Sequence, residues 1–134
     1  MPLAEIELQR RLRWADADAA GRLHFPRIFE VIMEAESELL RTFGWSIDER
    51  RCHYDFPRVS LECRFLRIIA LETSYRLRLV VGKLGNSSIR YNYSVFDAED
   101  KVAIEGTMTV VVTQDGKTVA IPTALRKALE GEPD

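Results

Sequence analysis

Residues 14–26, WADADAAGRLHFP, join a strand pattern to a long helical pattern. Before them, residues 5–14 alternate loosely between apolar and polar side chains, which predicts a strand. After them, apolar side chains from Arg27 to Phe43 recur at spacings of three and four, which predicts a well-buried helix. Pro26 suits the first turn of that helix, where its missing N–H costs nothing. The chain must therefore fold around a strand, a turn of small residues and one long helix.

Strand patterns dominate the rest of the chain. Runs rich in β-branched and aromatic residues cover 58–68, 71–82, 87–97 and 101–113. Short connections at Gly82–Asn86 and Asp97–Lys101 favour antiparallel neighbours. The remaining segments predict a short helical turn near Ser46 and Asp48, a short strand after Gly116 and a helix over 123–129.

These elements predict an α+β fold in which one curved antiparallel sheet wraps around a long central helix, because an apolar helix needs a sheet large enough to cover it. The length of 134 residues predicts a single domain over 1–134. One helix cannot cover a whole sheet face, so we expect a second subunit to close part of it.

Composition narrows the range of functions. The formal net charge of −2 argues against a broad nucleic-acid or membrane surface. No apolar run is long enough to span a bilayer, and the N-terminal residues lack the apolar core of a signal peptide. Cys52 and Cys63 have no metal-binding or redox spacing, and two thiols without a secretory signal are typical of a reducing compartment. We therefore expect a cytoplasmic protein.

The turn between strand and helix carries the residues that could do chemistry. Asp16 and Asp18 precede Gly21 and the helix N-terminus, where unpaired N–H groups point outward. A carboxylate and an N–H donor that face one point can attack a carbonyl and stabilise its oxyanion. From the pattern alone, a turn or capping role is favoured for both aspartates. The sequence contains no metal cluster, phosphate-binding loop or other nucleophile paired with a base.

The run Asp16-Ala-Asp18-Ala-Ala-Gly21-Arg-Leu-His24-Phe25-Pro26, with the helix that follows, resembles the 4-hydroxybenzoyl-CoA thioesterase group of hotdog-fold acyl-CoA thioesterases. The similarity extends from about Leu8 to Leu129. Within that span it includes Glu34-Ala35-Glu36, Phe43-Gly44, Phe56-Pro57-Arg58-Val59-Ser60, Leu84-Gly85-Asn86-Ser87-Ser88, Gly106–Val111 and Ile121-Pro122.

The resemblance implies a hydrolase that cleaves an acyl-CoA thioester to a free acid and CoA at the interface of a homodimer, often within a homotetramer. Asp18 matches the family's nucleophile or general base, and the backbone N–H of Phe25 matches its oxyanion donor. No cofactor is expected beyond the CoA of the substrate, and no metal. The substrate site is expected to include Gly21, His24, Pro26, Ser60 and Ser88.

Two departures from the family pattern leave alternatives open. Arg27 stands where a small polar residue is common. It could contact a carboxylate, a phosphate or the partner subunit, and a solvated side chain is the favoured interpretation. The 83–90 hairpin has only Lys83 and Arg90 where relatives carry a basic cluster for the CoA phosphates. The missing charge could come from Arg64, Arg67, Arg76 and Arg78, or the substrate could be carried by an acyl carrier protein.

Two other functions fit the same scaffold. A hotdog dehydratase would need a catalytic histidine, for which the chain offers His24 or His53. A non-catalytic acyl-CoA-binding protein would bind its ligand and release no CoA.

Overall fold

The computed structural model describes residues 3–45 and 54–131. Its elements are β1 (Glu5–Arg11), a 3-10 turn (Trp14–Asp16), α1 (Phe25–Thr42), β2 (Tyr54–Asp55), β3 (Arg58–Phe65), β4 (Ser74–Leu84), β5 (Ser88–Phe96), β6 (Val102–Val111), β7 (Thr113–Gln114), β8 (Lys117–Thr118) and α2 (Thr123–Leu129). The helical turn predicted near Ser46 and Asp48 lies outside the described residues, as do Cys52 and His53.

Five strands form one antiparallel sheet in the order β1-β4-β5-β6-β3. This sheet and α1 confirm the predicted α+β class. The predicted end of the strand over 101–113 is wrong, because β6 ends at Val111 and the chain leaves the main sheet there. It then joins a second, three-stranded sheet of β2, β7 and β8. The short strand predicted after Gly116 is confirmed as β8. Strands of two residues carry no periodic signal, however, so the sequence did not predict β2, β7 or their pairing into this sheet.

Helix α1 packs its apolar stripe against the main sheet. The buried side chains of that stripe are Ile28, Val31, Ile32, Ala35, Leu39 and Leu40. They share one core with the inward-facing residues of β4 and β5, where buried and exposed positions alternate. Leu125 and Leu129 of α2 complete this core. The helix begins at Phe25, so Phe25 and Pro26 lie in its first turn and His24 directly precedes it.

One carboxylate, Glu36, faces the core from α1 with its side chain fully buried. It is paired with Arg58, the first residue of β3. Burial raises the pKa of the Glu36 carboxyl, and the Arg58 charge and hydrogen bond oppose that shift. The pair therefore ties the centre of α1 to the start of the edge strand.

Strand β3 forms one edge of the main sheet, and among the described strands it pairs only with β6. Seven of its eight residues are exposed. Several large apolar side chains of β3 and the segment after it face solvent: Val59, Leu61, Phe65, Leu66 and Ile68. A long exposed apolar edge of this kind is a template for pairing with another strand.

Neither of the two helices in the described segments has the length and hydropathy needed to cross a bilayer. The cytoplasmic location stays a prediction.

Candidate active site

The turn between the 3-10 segment and α1 is a small closed loop. Ala17 pairs with Leu23, and the Asp18 N–H donates to the Arg22 carbonyl at 2.7 Å. Gly21 has a φ of +76°, a conformation that glycine adopts without steric cost. Its carbonyl accepts the Leu71 N–H at 2.9 Å, which fixes the loop to the segment before β4. The loop is thus held from both sides and has a defined position beside α1.

The Asp18 carboxylate uses only one of its oxygens to hold this loop. Oδ1 accepts the N–H groups of Ala20 at 2.9 Å and Arg22 at 3.1 Å. Oδ2 has no hydrogen-bond partner among the described residues, and the side chain is exposed. The turn role suggested by the sequence is therefore present, and it is compatible with chemistry at the second oxygen.

A second loop in the same chain shows what is particular to Asp18. Asp97 makes the same turn, because its Oδ1 accepts the Glu99 N–H at 2.9 Å and the Lys101 N–H at 3.0 Å. The Oδ2 of Asp97, however, accepts a hydrogen bond from Arg67 at 2.9 Å. The two carboxylates thus share their turn geometry, and only that of Asp18 keeps a free oxygen.

Asp16, the other aspartate of the motif, is used for structure. Its side chain is 5% exposed. Its Oδ1 accepts from Arg27 Nε at 2.8 Å, and its Oδ2 accepts from the Arg13 N–H at 3.1 Å. Burial raises the pKa of the Asp16 carboxyl, but the hydrogen bonds from Arg13 and Arg27 outweigh it and bring the pKa below its ordinary value. The geometry supports the structural interpretation of this residue.

The N-terminus of α1 presents the N–H group of Phe25. His24 precedes the helix without a side-chain cap, and Pro26 has no N–H to offer. The Phe25 N–H donates to no acceptor in the part of the chain that is described. An unpaired N–H at this end of a helix, supported by the helix dipole, can stabilise a negative oxygen.

Three of the predicted substrate-binding residues, Gly21, His24 and Pro26, lie together in this loop and first helical turn. The Phe25 ring is 6.0 Å from the His24 ring and meets the Phe65 ring edge-on at 6.1 Å. Phe65, at the end of β3, was not predicted, because nothing in its sequence neighbourhood indicates that β3 ends beside α1.

The other two predicted residues, Ser60 and Ser88, lie towards the other end of the sheet. Ser60 is five residues before Phe65 on β3, a separation of about 16 Å. Ser88 begins β5 opposite Val111, beyond the position of Ser60. Within one chain they are not neighbours of Asp18.

The favoured interpretation of Arg27, a solvated side chain, is wrong, and the alternative of a contact with a carboxylate is confirmed. Its side chain is 26% exposed and bridges Asp16 and Glu30. The sequence held one signal for this, the Glu30 carboxylate three residues further along the same helix.

The strand arginines offered as substitutes for a basic cluster are each paired with a carboxylate. The pairs are Arg64 with Glu105, Arg67 with Asp97, Arg76 with Glu7 and Asp100, and Arg78 with Glu5. In contrast, Lys83 and Arg90 lie opposite each other across β4 and β5 and form no ion pair within the described residues. They are the unneutralised cations of this hairpin.

Comparison with known proteins finds similarity to thioesterases and to an esterase. The family model of the thioesterase-like superfamily matches residues 12–129. A protein of Aquifex aeolicus (strain VF5) named "Putative esterase" is 24% identical over 123 residues, which cover 91% of this chain and 95% of that protein. The 1,4-dihydroxy-2-naphthoyl-CoA thioesterase from Synechocystis superposes with a TM-score of 0.84 at 17% identity, covering 94% of this chain and 96% of that one. For a gentisyl-coenzyme A thioesterase the TM-score is 0.82 at 22% identity, covering 92% and 99%.

The chain belongs to the thioesterase-like superfamily, since the family model matches it nearly from end to end. This membership confirms the resemblance drawn from the 16–26 motif, and with it the expected class of enzyme, a thioester hydrolase. The superpositions show that the chain has the fold of these solved thioesterases.

Proposed function

We propose that this protein is a hotdog-fold acyl-CoA thioesterase, in which the main sheet wraps α1 and an acyl-CoA is hydrolysed to a free acid and CoA. The observation that carries the proposal is the Oδ2 of Asp18, in a hydrogen-bonded loop that leads into the N–H of Phe25; neither atom has a hydrogen-bond partner among residues 3–45 and 54–131. The relatives named as CoA thioesterases support the choice of substrate class.

In this proposal the thioester carbonyl oxygen accepts the Phe25 N–H, and the carbonyl carbon faces Asp18. Oδ2 either attacks that carbon, giving an acyl-aspartyl anhydride, or removes a proton from the attacking water. In both routes the C–S bond breaks, CoA leaves as a thiolate that takes up a proton, and one water is consumed. Label found in the Asp18 carboxylate after turnover in H2¹⁸O would establish the anhydride route, because only attack of water on the aspartyl carbonyl of the anhydride can place it there.

The direct test is release of free thiol from a panel of aromatic and aliphatic acyl-CoAs. We expect multiple turnovers on at least one member. Saturable binding without thiol release would instead support an acyl-binding protein, and release from acyl carrier protein thioesters alone would identify the other carrier. A dehydratase using His24 would lose its activity in His24→Gln, whereas the thioesterase is expected to retain hydrolysis.

We also propose that the site is completed by a second copy, joined through antiparallel pairing of β3 with the partner's β3. The exposed apolar edge supports this arrangement. A two-fold axis near Leu61 would bring the start of the partner's strand beside Phe65 and hence beside Phe25. The partner subunit's Ser60 and Ser88 would then approach the loop from which they are distant within one chain. Pairing of such dimers into tetramers is part of the same proposal.

A charge in the middle of this edge should separate the subunits. We expect Leu61→Lys to convert the dimer to a monomer, because an unpaired ammonium would be buried at the new strand pair. Light scattering after size exclusion measures the mass. Gln9→Lys, on the exposed face of β1 at the opposite edge, is the matched control and should remain dimeric. A dimer that survives Leu61→Lys would contradict the pairing.

The phosphates of CoA are proposed to bind at the β4–β5 hairpin. Lys83 and Arg90 supply two adjacent cations without carboxylate partners among the described residues, and like charges directly opposite are unfavourable unless an anion joins them.

Replacing both cations should weaken CoA binding and leave the chemical step intact. We expect Lys83→Ala with Arg90→Ala to raise KM for acyl-CoA about tenfold, close to the loss of one charge-assisted hydrogen bond, with kcat unchanged. Arg78→Ala, on the same strand but paired with Glu5, should leave KM unchanged. An acyl-pantetheine substrate, which lacks the nucleotide, should show no difference between wild type and the double variant. An unchanged KM for acyl-CoA would refute this site.

A further inference from the structure

Arg27 occupies a position that is unfavourable for a cation on its own. It lies in the first turn of α1, where the helix dipole is positive. Its Nε donates to Asp16 Oδ1 at 2.8 Å, and Nη1 is paired with Glu30. The charges of Asp16 and Glu30 offset the unfavourable interaction of the guanidinium with the helix dipole. Nε and Nη1 of Arg27 are both occupied by these contacts.

Asp16 contacts residues before and after Phe25, the backbone of His24 and the side chain of Arg27. The Asp16 carbonyl accepts the His24 N–H at 2.8 Å, and the Asp16 carboxylate holds the side chain of Arg27. The Arg27 N–H in turn donates to the His24 carbonyl at 2.9 Å. Phe25 therefore lies within the four-residue segment 24–27, whose first and last residues are both tied to one buried aspartate.

We propose that Arg27 is a positioning residue, which fixes the direction of the Phe25 N–H relative to Asp18 through its ion pair with Asp16. The inference rests on the proposed thioesterase function and deepens it. It assigns Arg27 no contact with the substrate, since the two nitrogens that make its ion pairs already have carboxylate partners.

The expected effect is on the chemical step. An oxyanion donor displaced by about 1 Å can cost on the order of a hundredfold in rate. We therefore expect Arg27→Gln to lower kcat about 10- to 100-fold, while KM stays within about threefold of wild type. Arg27→Lys keeps the charge and one hydrogen bond to Asp16, and should recover part of the lost kcat.

A double-mutant cycle for Asp16 and Arg27 measures whether their effects on kcat are coupled, which general destabilisation of the fold would not produce. Asp16→Asn should lower kcat to a similar degree, and the double variant with Arg27→Gln should be no slower than the slower single variant. Arg10→Gln is the matched control, because Arg10 pairs with Glu34 and so also links β1 to α1, further from Phe25. Its kcat should remain within about twofold of wild type.

Two results would overturn the inference. If Arg27→Gln raises KM and leaves kcat unchanged, the guanidinium contacts the substrate. If the losses of kcat in the two single variants multiply in the double variant, Arg27 and Asp16 act independently. Thiol release by the wild-type protein is measured first, so that failure of the proposed function is recognised separately from failure of this inference.

Discussion

Asp18→Asn should lower kcat for thioester hydrolysis by about 10²- to 10⁴-fold, the range of a lost general base or nucleophile. The amide oxygen of asparagine can still accept the N–H groups of Ala20 and Arg22, so the loop keeps its shape. The amide nitrogen replaces Oδ2 and can neither attack a carbonyl nor take a proton from water. KM and the melting temperature should therefore change little. Thiol release under substrate saturation measures the loss.

Asp97→Asn is an unusually close control for this experiment. Asp97 holds its own loop with the same two backbone hydrogen bonds, but its second oxygen is occupied by Arg67. If the carboxylate of Asp18 served only the turn, the two substitutions would have similar and small effects on kcat. A large loss confined to Asp18→Asn assigns the chemistry to the free oxygen, and retention of wild-type turnover would remove Asp18 from the mechanism.

The sequence predicted which residues of the candidate site lie together in one contiguous segment, and the family resemblance supplied their proposed roles. Asp18, Gly21 and Phe25 lie in one loop and the helix start that follows it, so a local pattern was enough to place them together. The periodicity of α1 and the alternation in β4 and β5 were equally local signals. These features follow from the spacing of apolar residues and need no knowledge of the tertiary arrangement.

The features that the sequence missed depend on distant contacts. Arg27 was expected to be solvated because its main partner, Asp16, is brought near only when the loop closes. Phe65 reaches the site only because β3 runs antiparallel to β6 and ends beside α1. The registers of strands and the ends of side chains are set by packing between elements, which composition and spacing do not encode.

The second large effect is a loss of stability expected on substitution of Gly106, in the middle of β6. Gly106 lies between Tyr93 on β5 and Cys63 on β3, and the Tyr93 hydroxyl passes over it to donate to the Glu62 carbonyl. A Cβ at this position would overlap the Glu62 carbonyl oxygen and crowd the Tyr93 hydroxyl. Because the oxygen belongs to the backbone of β3, relief requires the strand itself to move.

We expect Gly106→Ala to lower the free energy of unfolding by about 3 kcal/mol or more, as overpacking against a fixed backbone does. For a domain of this size that corresponds to a fall in melting temperature of about 10 °C. Gly82→Ala is the matched control within the same sheet, because its added Cβ would meet only the end of the Asn92 side chain, which can move aside. Its effect should be about 1 kcal/mol or less.

The position of Gly106 also links stability to function. Displacement of β3 would shift Phe65 away from Phe25 and disturb the edge proposed to pair with a second copy. At temperatures where the monomer is still folded, Gly106→Ala should therefore dissociate to the monomer and release no thiol. Gly82→Ala should remain a dimer and stay active. Equal melting temperatures for the two variants would mean that β3 can move aside at little cost, and that the glycine is not needed for the approach of the two strands.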